Sequence, residues 1–467
     1  MKKFLVRAVL AAFLAMSYGT FAVAGEVDVL VNKLVENGVL SPADAQIVLD
    51  DTKVAVSKEL SEGKSYSVPD WAQRIKWGGD VRFRTQGDWG KSTGNGRIAE
   101  QRIRERVRGR FWLEAKVNDF TTAAARFAGG GTNPRSTNDT LDGYWQKDMV
   151  MFDQYYIRFE PSRELVKEYG KYFNDLKLWA GKFPIPFQCS ELVWDSDINP
   201  TGIALQYVSP DIMTSYLPIF NLYSNIGMLW IDEQAVFNTD PLLWAYQIGA
   251  KTEPFGPLGS KVNIATTLYN FANLQNKTPA VSAGTNSRWW IGDIGGNASR
   301  NSSLLGTYKY EFNVLDLLVN IDNTRIFDFE FPYGFYGDFI YNLSCHEDND
   351  NKGILLGGYI GKKKLKNPGD WKGRAEWRFI ERNSIPDFMP DSDFYGFGTY
   401  TNATTNPNVN GLPAEGGTNG KGINLAFEYQ LLKNTTLNFE YYWMKPIKSF
   451  DKRDPWNLLQ IDVITKF

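Results

Sequence analysis

The amino-acid sequence predicts an all-β membrane fold: a single antiparallel transmembrane β-barrel of about 16 strands, with about 18 as the alternative, behind a short N-terminal helical hairpin. Three observations predict it. One long stretch alternates cationic and apolar residues, the connections between such stretches alternate short and long, and an export signal precedes them with no later helical span.

The alternation is clearest between Gln101 and Asn118. Every second residue from Arg102 reads Arg102, Arg104, Arg106, Arg108, Arg110, Trp112, Glu114, Lys116. The interleaved set is Ile103, Glu105, Val107, Gly109, Phe111, Leu113, Ala115, Val117. Side chains alternate across a strand, whereas a helix would scatter those arginines around its circumference. Such a row of cations inside a buried soluble sheet would lack partners for its charge. A strand with one face in water and the other in lipid resolves the conflict, with Ile103, Val107, Phe111 and Leu113 toward lipid.

Composition bounds the alternatives. A chain of 467 residues could be two or three soluble domains or one large barrel with loops. Its 15 Trp, 23 Tyr and 30 Phe suit the two aromatic girdles of a barrel. A mean hydropathy of -0.35 is too polar for a helical membrane protein. The net charge of -2 creates no field directed at nucleic acid. Two cysteines cannot make a CxxC-type metal site, and the single histidine, His346, removes most triad and metalloenzyme readings. No metal and no cofactor is expected. His346 stands beside Glu347, Asp348 and Asp350, which reads as a solvated acidic loop tip or as a loop cation site.

The N-terminus points to export. Lys2, Lys3 and Arg7 precede an apolar core from Ala8 to Met16, and Ala22-Val23-Ala24 is a small-residue cleavage site. Residues 1–24 are therefore read as a signal peptide. No later stretch approaches the ~18 apolar residues of a spanning helix. Residues 25–70 are read as a periplasmic helical segment. Val27, Leu30, Val31 and Leu34 fall at helical spacing before the stop Asn37-Gly38, and Ser41-Pro42 opens a second helix carrying Ala45, Val48 and Leu49. This hairpin is either a solvated tail or an apolar stripe for self-association or cell-wall contact.

The barrel is assigned to residues 71–467. Its strand candidates are Arg74–Thr85, Arg102–Val117, a third ending near Ala128, Met149–Glu160, Leu176–Lys182, Thr201–Ser209, Ile212–Tyr223 and Leu242–Thr252. Later come Lys261–Phe271, Leu304–Asn320, Tyr333–Leu343, Gly353–Lys363, Trp371–Arg382, Gly422–Leu431, Thr435–Met444 and Trp456–Phe467. Short connections at Asn118-Asp119, 209–211 and Lys433-Asn434 alternate with long ones at 86–99, 129–147, 272–303 and 383–421. Outer-membrane barrels have short periplasmic turns and long outer loops, while a soluble sandwich has no reason for that asymmetry. The last strand aligns Leu459, Ile461, Val463, Thr465 and Phe467 on one face. It resembles the terminal signal read by the barrel assembly machinery.

Several runs resemble the putative-porin group of Gram-negative bacteria. They are Ile75-Lys-Trp-Gly-Gly-Asp-Val-Arg-Phe-Arg84, Glu105-Arg-Val-Arg-Gly-Arg110, Ala180-Gly-Lys-Phe-Pro-Ile-Pro186, Gly337-Asp-Phe-Ile-Tyr-Asn342 and Gly369-Asp-Trp-Lys-Gly-Arg-Ala-Glu-Trp-Arg378. The run at Ala180 also resembles, more distantly, the phosphate-selective porins. Those carry lysine-rich eyelets, whereas the cations here are mostly Arg. The resemblance implies passive transport of small hydrophilic solutes by a homotrimer in the outer membrane, amid its lipid and lipopolysaccharide.

A pore discriminates by charge at its narrow part, and opposed charges there make a transverse field. The candidate pore-lining cations are Arg82, Arg84, Arg104, Arg106, Arg108, Arg110 and Arg126, joined by Arg374 and Arg378 on the strand from Trp371. Arg holds its charge at any biological pH. The loop 183–200 supplies Glu191, Asp195 and Asp197 as candidate constriction acids. These arginines line a constriction with mild anion preference, or they are solvated and paired to stiffen the wall, or they form a surface for a polyanion such as lipopolysaccharide or nucleic acid. Cys189 and Cys345 would meet an oxidising compartment, where a disulfide and two separate thiols are both open. Other functions are a surface adhesin or structural barrel with a closed lumen, or a barrel enzyme. The enzyme reading lacks a serine matched to the lone histidine.

Overall fold

The computed structural model describes residues 74–90, 102–130, 133–145, 147–161, 169–233, 240–275, 310–326, 328–345, 350–394, 417–447 and 455–467, with short runs or single positions elsewhere. The signal peptide, most of the helical hairpin, the loop 276–307 and His346, Glu347 and Asp348 lie outside the described residues. The chain divides into two compact units, Met1–Gln73 and Arg74–Phe467. In the first, a helix is described over 44–50. Its start follows from Ser41, whose Oγ accepts from the Asp44 backbone N–H at 3.2 Å and whose carbonyl accepts from Ala45.

The second unit is a closed antiparallel barrel of 16 strands. In chain order these are β1 (Ile75–Trp89), β2 (Arg102–Lys116), β3 (Thr121–Gly129), β4 (Val150–Phe159), β5 (Asp175–Lys182), β6 (Thr201–Val208), β7 (Phe220–Trp230) and β8 (Leu242–Thr252). Then follow β9 (Lys261–Ala272), β10 (Phe312–Ile326), β11 (Phe329–Asn342), β12 (Lys352–Gly361), β13 (Trp371–Ile380), β14 (Gly420–Leu432), β15 (Thr435–Pro446) and β16 (Trp456–Lys466). Each strand pairs with its chain neighbour, and β1 closes on β16 from Asp80↔Lys466 to Trp89↔Asn457. Closure leaves no open edge in lipid, where an unpaired backbone group has no water to bond.

The period of two sorts the wall into faces. Val81, Phe83, Ile103 and Phe111 are exposed on the outside, while Arg82, Arg84, Arg106 and Arg108 on the interleaved positions are buried within. Turn chemistry sets several corners. The Asn118 side chain accepts from the backbone N–H groups of Phe120 and Thr121, and Asn434 takes φ 63 between β14 and β15. At the seam the Gly79 N–H donates to the Phe467 carbonyl at 3.0 Å and the Phe467 N–H returns the bond. A Cβ at Gly79 would stand 2.4 Å from the Arg110 carbonyl and 2.6 Å from the Phe467 ring, so the approach requires glycine.

Two strands sit elsewhere than the sequence suggests. The seventh begins at Phe220 rather than Ile212, after an isolated bridge between Ile212 and Phe220. Pro210 and Pro218 have no N–H to give to a ladder, so the chain departs from the wall between them. The tenth runs Phe312–Ile326 rather than from Leu304 to Asn320. A bulge between β3 and β4 pairs Arg126 with Gln154 and Phe127 with Phe152, leaving Asp153 as the extra residue.

The core lies inside the barrel. Phe183, Phe187, Leu192, Val193 and Trp194 of the loop 183–200, and Ile385, Met389 and Phe394 of the segment 381–394, are buried against inward residues such as Tyr269, Phe271, Ile340 and Leu355. The lumen is thus partly apolar, which strict alternation of a water-facing wall does not foretell. Because Phe83 sits near the middle of β1 and is 45 % exposed on the outer face, Phe83→Arg should lower stability in lipid vesicles by about 2–4 kcal/mol. Urea titration of the refolded variant measures this, and wild-type stability would show that the outer face was misassigned.

Candidate functional site

The candidate site is the inner wall of β1, β2 and β13 together with the two inward segments. Register places Arg82 directly opposite Arg108 and Arg84 opposite Arg106. Like charges directly opposite destabilise a sheet, so each needs an acid. Asp462 of β16 accepts from Arg84 at 2.7 and 2.9 Å and lies 3.8 Å from Arg82. Asp80 takes Arg108 at 2.7 Å and Arg110 at 2.8 Å. Arg110 also reaches Asp197 of the inward loop at 3.4 Å, Arg84 reaches Asp393 at 3.4 Å, and Arg104 lies 3.9 Å from Asp88. Arg82 and Arg106 donate to the segment 133–140, Arg82 to the Asn138 side chain and Arg106 to Ser136 at 3.3 Å.

These arginines do not stand open to water. Arg82, Arg84, Arg106 and Arg108 are all under 9 % exposed because loops lie over them. Arg126 is half-buried and pairs with Asp153, the residue that the bulge turns inward. Asn199 at the end of the inward loop donates to the same carboxylate at 2.7 Å.

On β13, Arg374 donates to Glu376 and Glu440, both at 2.5 Å. Arg378 is 1 % exposed and gathers three carboxylates: Glu376 at 2.6 Å, Asp391 at 2.5 Å and Glu191 at 2.7 Å. Its guanidinium also lies 5.4 Å from the Phe394 ring centroid. The sequence marks Arg378 as a lumen cation; its position is that of a clasp joining the wall to two loops.

The two loops bind each other as well. The Asp195 N–H donates to the Met389 carbonyl at 2.7 Å, and the Asp391 N–H to the Glu191 carbonyl at 3.1 Å. The Asp195 carboxylate accepts from the backbone N–H groups of Asp197 and Ser392, each at 2.8 Å. So the three candidate acids separate by role: Glu191 and Asp197 reach wall arginines, while Asp195 is buried between loops. Burial pushes the Asp195 carboxyl up to about 7, and neighbouring Asp197 adds to the shift. Asp393 is also desolvated, yet Arg84, Arg106 and Arg82 hold it below the usual carboxylate range.

Residues that the sequence did not single out strap the inward loop to the wall. Gln247 of β8 donates to the Gln188 carbonyl at 2.7 Å and accepts from its N–H at 2.9 Å. Gln206 of β6 donates to the Pro186 carbonyl at 2.6 Å. Their only signal was an amide on the inward parity of largely apolar strands.

Cys189 and Cys345 are not joined by a disulfide. Cys189 lies in the lumen, where burial and then Asp316 and Asp338 push its thiol pKa up. Cys345 is buried in the connection between β11 and β12, where Asn351 donates to its carbonyl. Asp350 of the acidic tip is an ion-pair partner of Arg382. Among the described residues no group of three His, Cys, Asp or Glu is placed to hold a metal.

Beside the loops the lumen holds two cavities of about 660 and 570 Å³, which share Cys189, Leu318, Asn320, Asp322 and Lys363 in their linings. The first also meets Lys177, Lys251 and Lys261, and the second Arg374, Glu376 and Glu191.

The fold is thus a closed 16-stranded antiparallel barrel with polar cavities and inward loops. Residues 91–294 match the family described as Putative porin, and the family resemblance read from the sequence is borne out over that span. No curated protein matches the chain. Solved structures similar to it include the high-pH form of Pseudomonas putida OprB, at 11 % identity and TM-score 0.49 over 85 % of this chain and 94 % of that one. The DcaP outer-membrane channel of Acinetobacter baumannii is similar at 10 % identity and TM-score 0.39, over 84 % and 97 % of the two chains. Salmonella typhi OmpF in complex with daunomycin is similar at 9 % identity and TM-score 0.43, again over 84 % and 97 %.

Two outcomes follow from this geometry. Arg378→Gln leaves buried carboxylates without their cation, so the unfolding free energy in detergent should fall by about 3–5 kcal/mol. The same variant should conduct more, because both loops lose their shared anchor; unchanged urea midpoint and conductance would refute the clasp. Asp195 has an ordinary value of 3.8 and a folded value of about 7, so in that window the folded state holds a proton that the unfolded chain lacks. Loop docking should therefore be strongest at low pH and weaken as pH rises through about 7. Single-channel current noise should grow between pH 5 and 8.5 in the wild type and vary less in Asp195→Asn.

Proposed function

We propose that the chain is an outer-membrane channel for passive diffusion of small hydrophilic solutes and ions, with a mild preference for anions. The observation that carries this reading is the split of the wall, apolar outside and densely charged inside, around cavities bordered by Lys177, Lys251, Lys261 and Arg374. A charged lumen lowers the entry barrier for counter-ions, and the paired acids moderate its sign. The covered arginines of β1 and β2 add a positive field from behind the loops to that of the cavity-lining cations, while Glu191 and Asp197 oppose it from the inward loop. Export uses the signal peptide 1–24, residues 25–70 stay on the periplasmic side, residues 71–467 form the barrel, and assembly proceeds through the strand ending at Phe467. A homotrimer set among lipid and lipopolysaccharide is the proposed form.

The interlocked loops favour a second reading, a barrel with a closed lumen whose outer surface carries the function. Planar-bilayer recording separates the two. The channel reading expects discrete conductance steps and a reversal potential shifted toward anions under a salt gradient. The shift should shrink as salt rises, since the screening length is about 8 Å at physiological ionic strength. Replacing Arg106, Arg108 and Arg110 together by Ser should raise cation permeability, and Glu191→Gln with Asp197→Asn should move the potential the other way. Silent bilayers from correctly folded protein would favour the closed barrel.

A further inference from the structure

Most lumenal carboxylates near the clasp and the ladder face a guanidinium; Asp316 and Asp338 do not. Asp316 of β10 and Asp338 of β11 are diagonal neighbours on the inner wall, since Asp316 pairs with Ile340 and Leu318 with Asp338. They are 0 % and 2 % exposed. The groups acting most strongly on them are each other, Thr267, Ser190 and the Phe339 backbone, with no cation among them. Neither oxygen of Asp316 has a hydrogen-bond partner of good geometry, nor does Oδ1 of Asp338.

A second observation concerns the neutral groups beside them. Tyr269 is 0 % exposed and lies next to Asp316 and Thr267, yet its hydroxyl has no hydrogen-bond partner of good geometry. Unpartnered oxygens of two carboxylates and one tyrosine thus lie together at one place on the inner wall. Buried polar groups are normally satisfied, and two carboxylates out of water without a cation are strongly disfavoured.

We propose that Asp316 and Asp338 bind a hard divalent cation of the Ca2+ or Mg2+ kind, which fastens the inward loop 183–200 to the barrel wall. Two carboxylates match its charge. The donors are oxygens, with the Thr267 and Tyr269 hydroxyls bordering the site and water completing the shell, which suits a hard cation of flexible geometry. The connection to the loop is direct, because Ser190 Oγ donates to Asp338 Oδ2. Cation binding would therefore act on a loop that crosses the lumen, whatever solute the barrel passes.

The test uses full-length protein refolded from denaturant into detergent, free of lipopolysaccharide, with Ca2+ as the probe. Elemental analysis after gel filtration should find one Ca2+ per chain, and the melting temperature should fall with chelator and recover when Ca2+ returns. Asp316→Asn should weaken Ca2+ binding by roughly tenfold or more, while Glu330→Gln, at the start of β11, should not. Metal at background in the wild type, with equal melting in Ca2+ and chelator, would mean a shared proton only and would overturn the site. So would Ca2+ affinity unchanged in Asp316→Asn, or a Cd2+ preference abolished by Cys189→Ser. If Asp316→Asn does not fold, the wild-type metal content and melt decide the question alone.

Discussion

The interior of this barrel depends on taking one guanidinium out of water. Arg378 would be prohibitive inside the lumen without partners, since a buried charge carries a desolvation cost of several kcal/mol. Three carboxylates from three places answer it: Glu376 on the same strand, Glu191 on the first inward segment and Asp391 on the second. Neither segment could withdraw without leaving charge uncompensated. Apolar packing then follows, as Phe187, Trp194, Ile385 and Met389 fill the space that the clasp holds closed. The electrostatics fix where the loops meet, and hydrophobic burial makes the meeting stable.

The same logic governs the opposite wall. A row of arginines in direct cross-strand register is unstable by itself, and its tolerance rests on acids brought in from remote parts of the chain. Arg84 and Asp462 are separated by 378 positions, and only closure of the barrel joins them. The charge pattern is thus a property of the closed ring rather than of any one strand.

Much of the wall was legible in the amino-acid order because a strand in lipid has to alternate. The parity of Arg102–Lys116 and of the stretch from Ile75 reads directly as inside and outside. The interior was less legible. The inward fold of 381–394 has no periodicity to announce it, because its hydrogen bonds go to another loop. Asp153 was hidden since a bulge breaks the parity rule that would have placed it outside. The start of β7 was misread because alternation after Ile212 looks like a strand until Pro218 is weighed. The alternation carries no sign of the arginines' burial, since cover comes from Asn138, Ser136 and Asp393 rather than from neighbours in sequence.

The seam between β1 and β16 bears on how such a molecule comes into being. Until the final strand arrives, Arg84 has lost its bidentate acceptor and the cleft at Gly79 has nothing to receive. A nearly complete barrel is then not a slightly weaker version of the finished one; it holds a buried cation left with Asp393 alone, beside an unfilled slot and an unpaired edge. The last step of biogenesis removes all three defects together. Closure is thus an all-or-none event at this corner, because a misplaced final strand leaves all three defects in place.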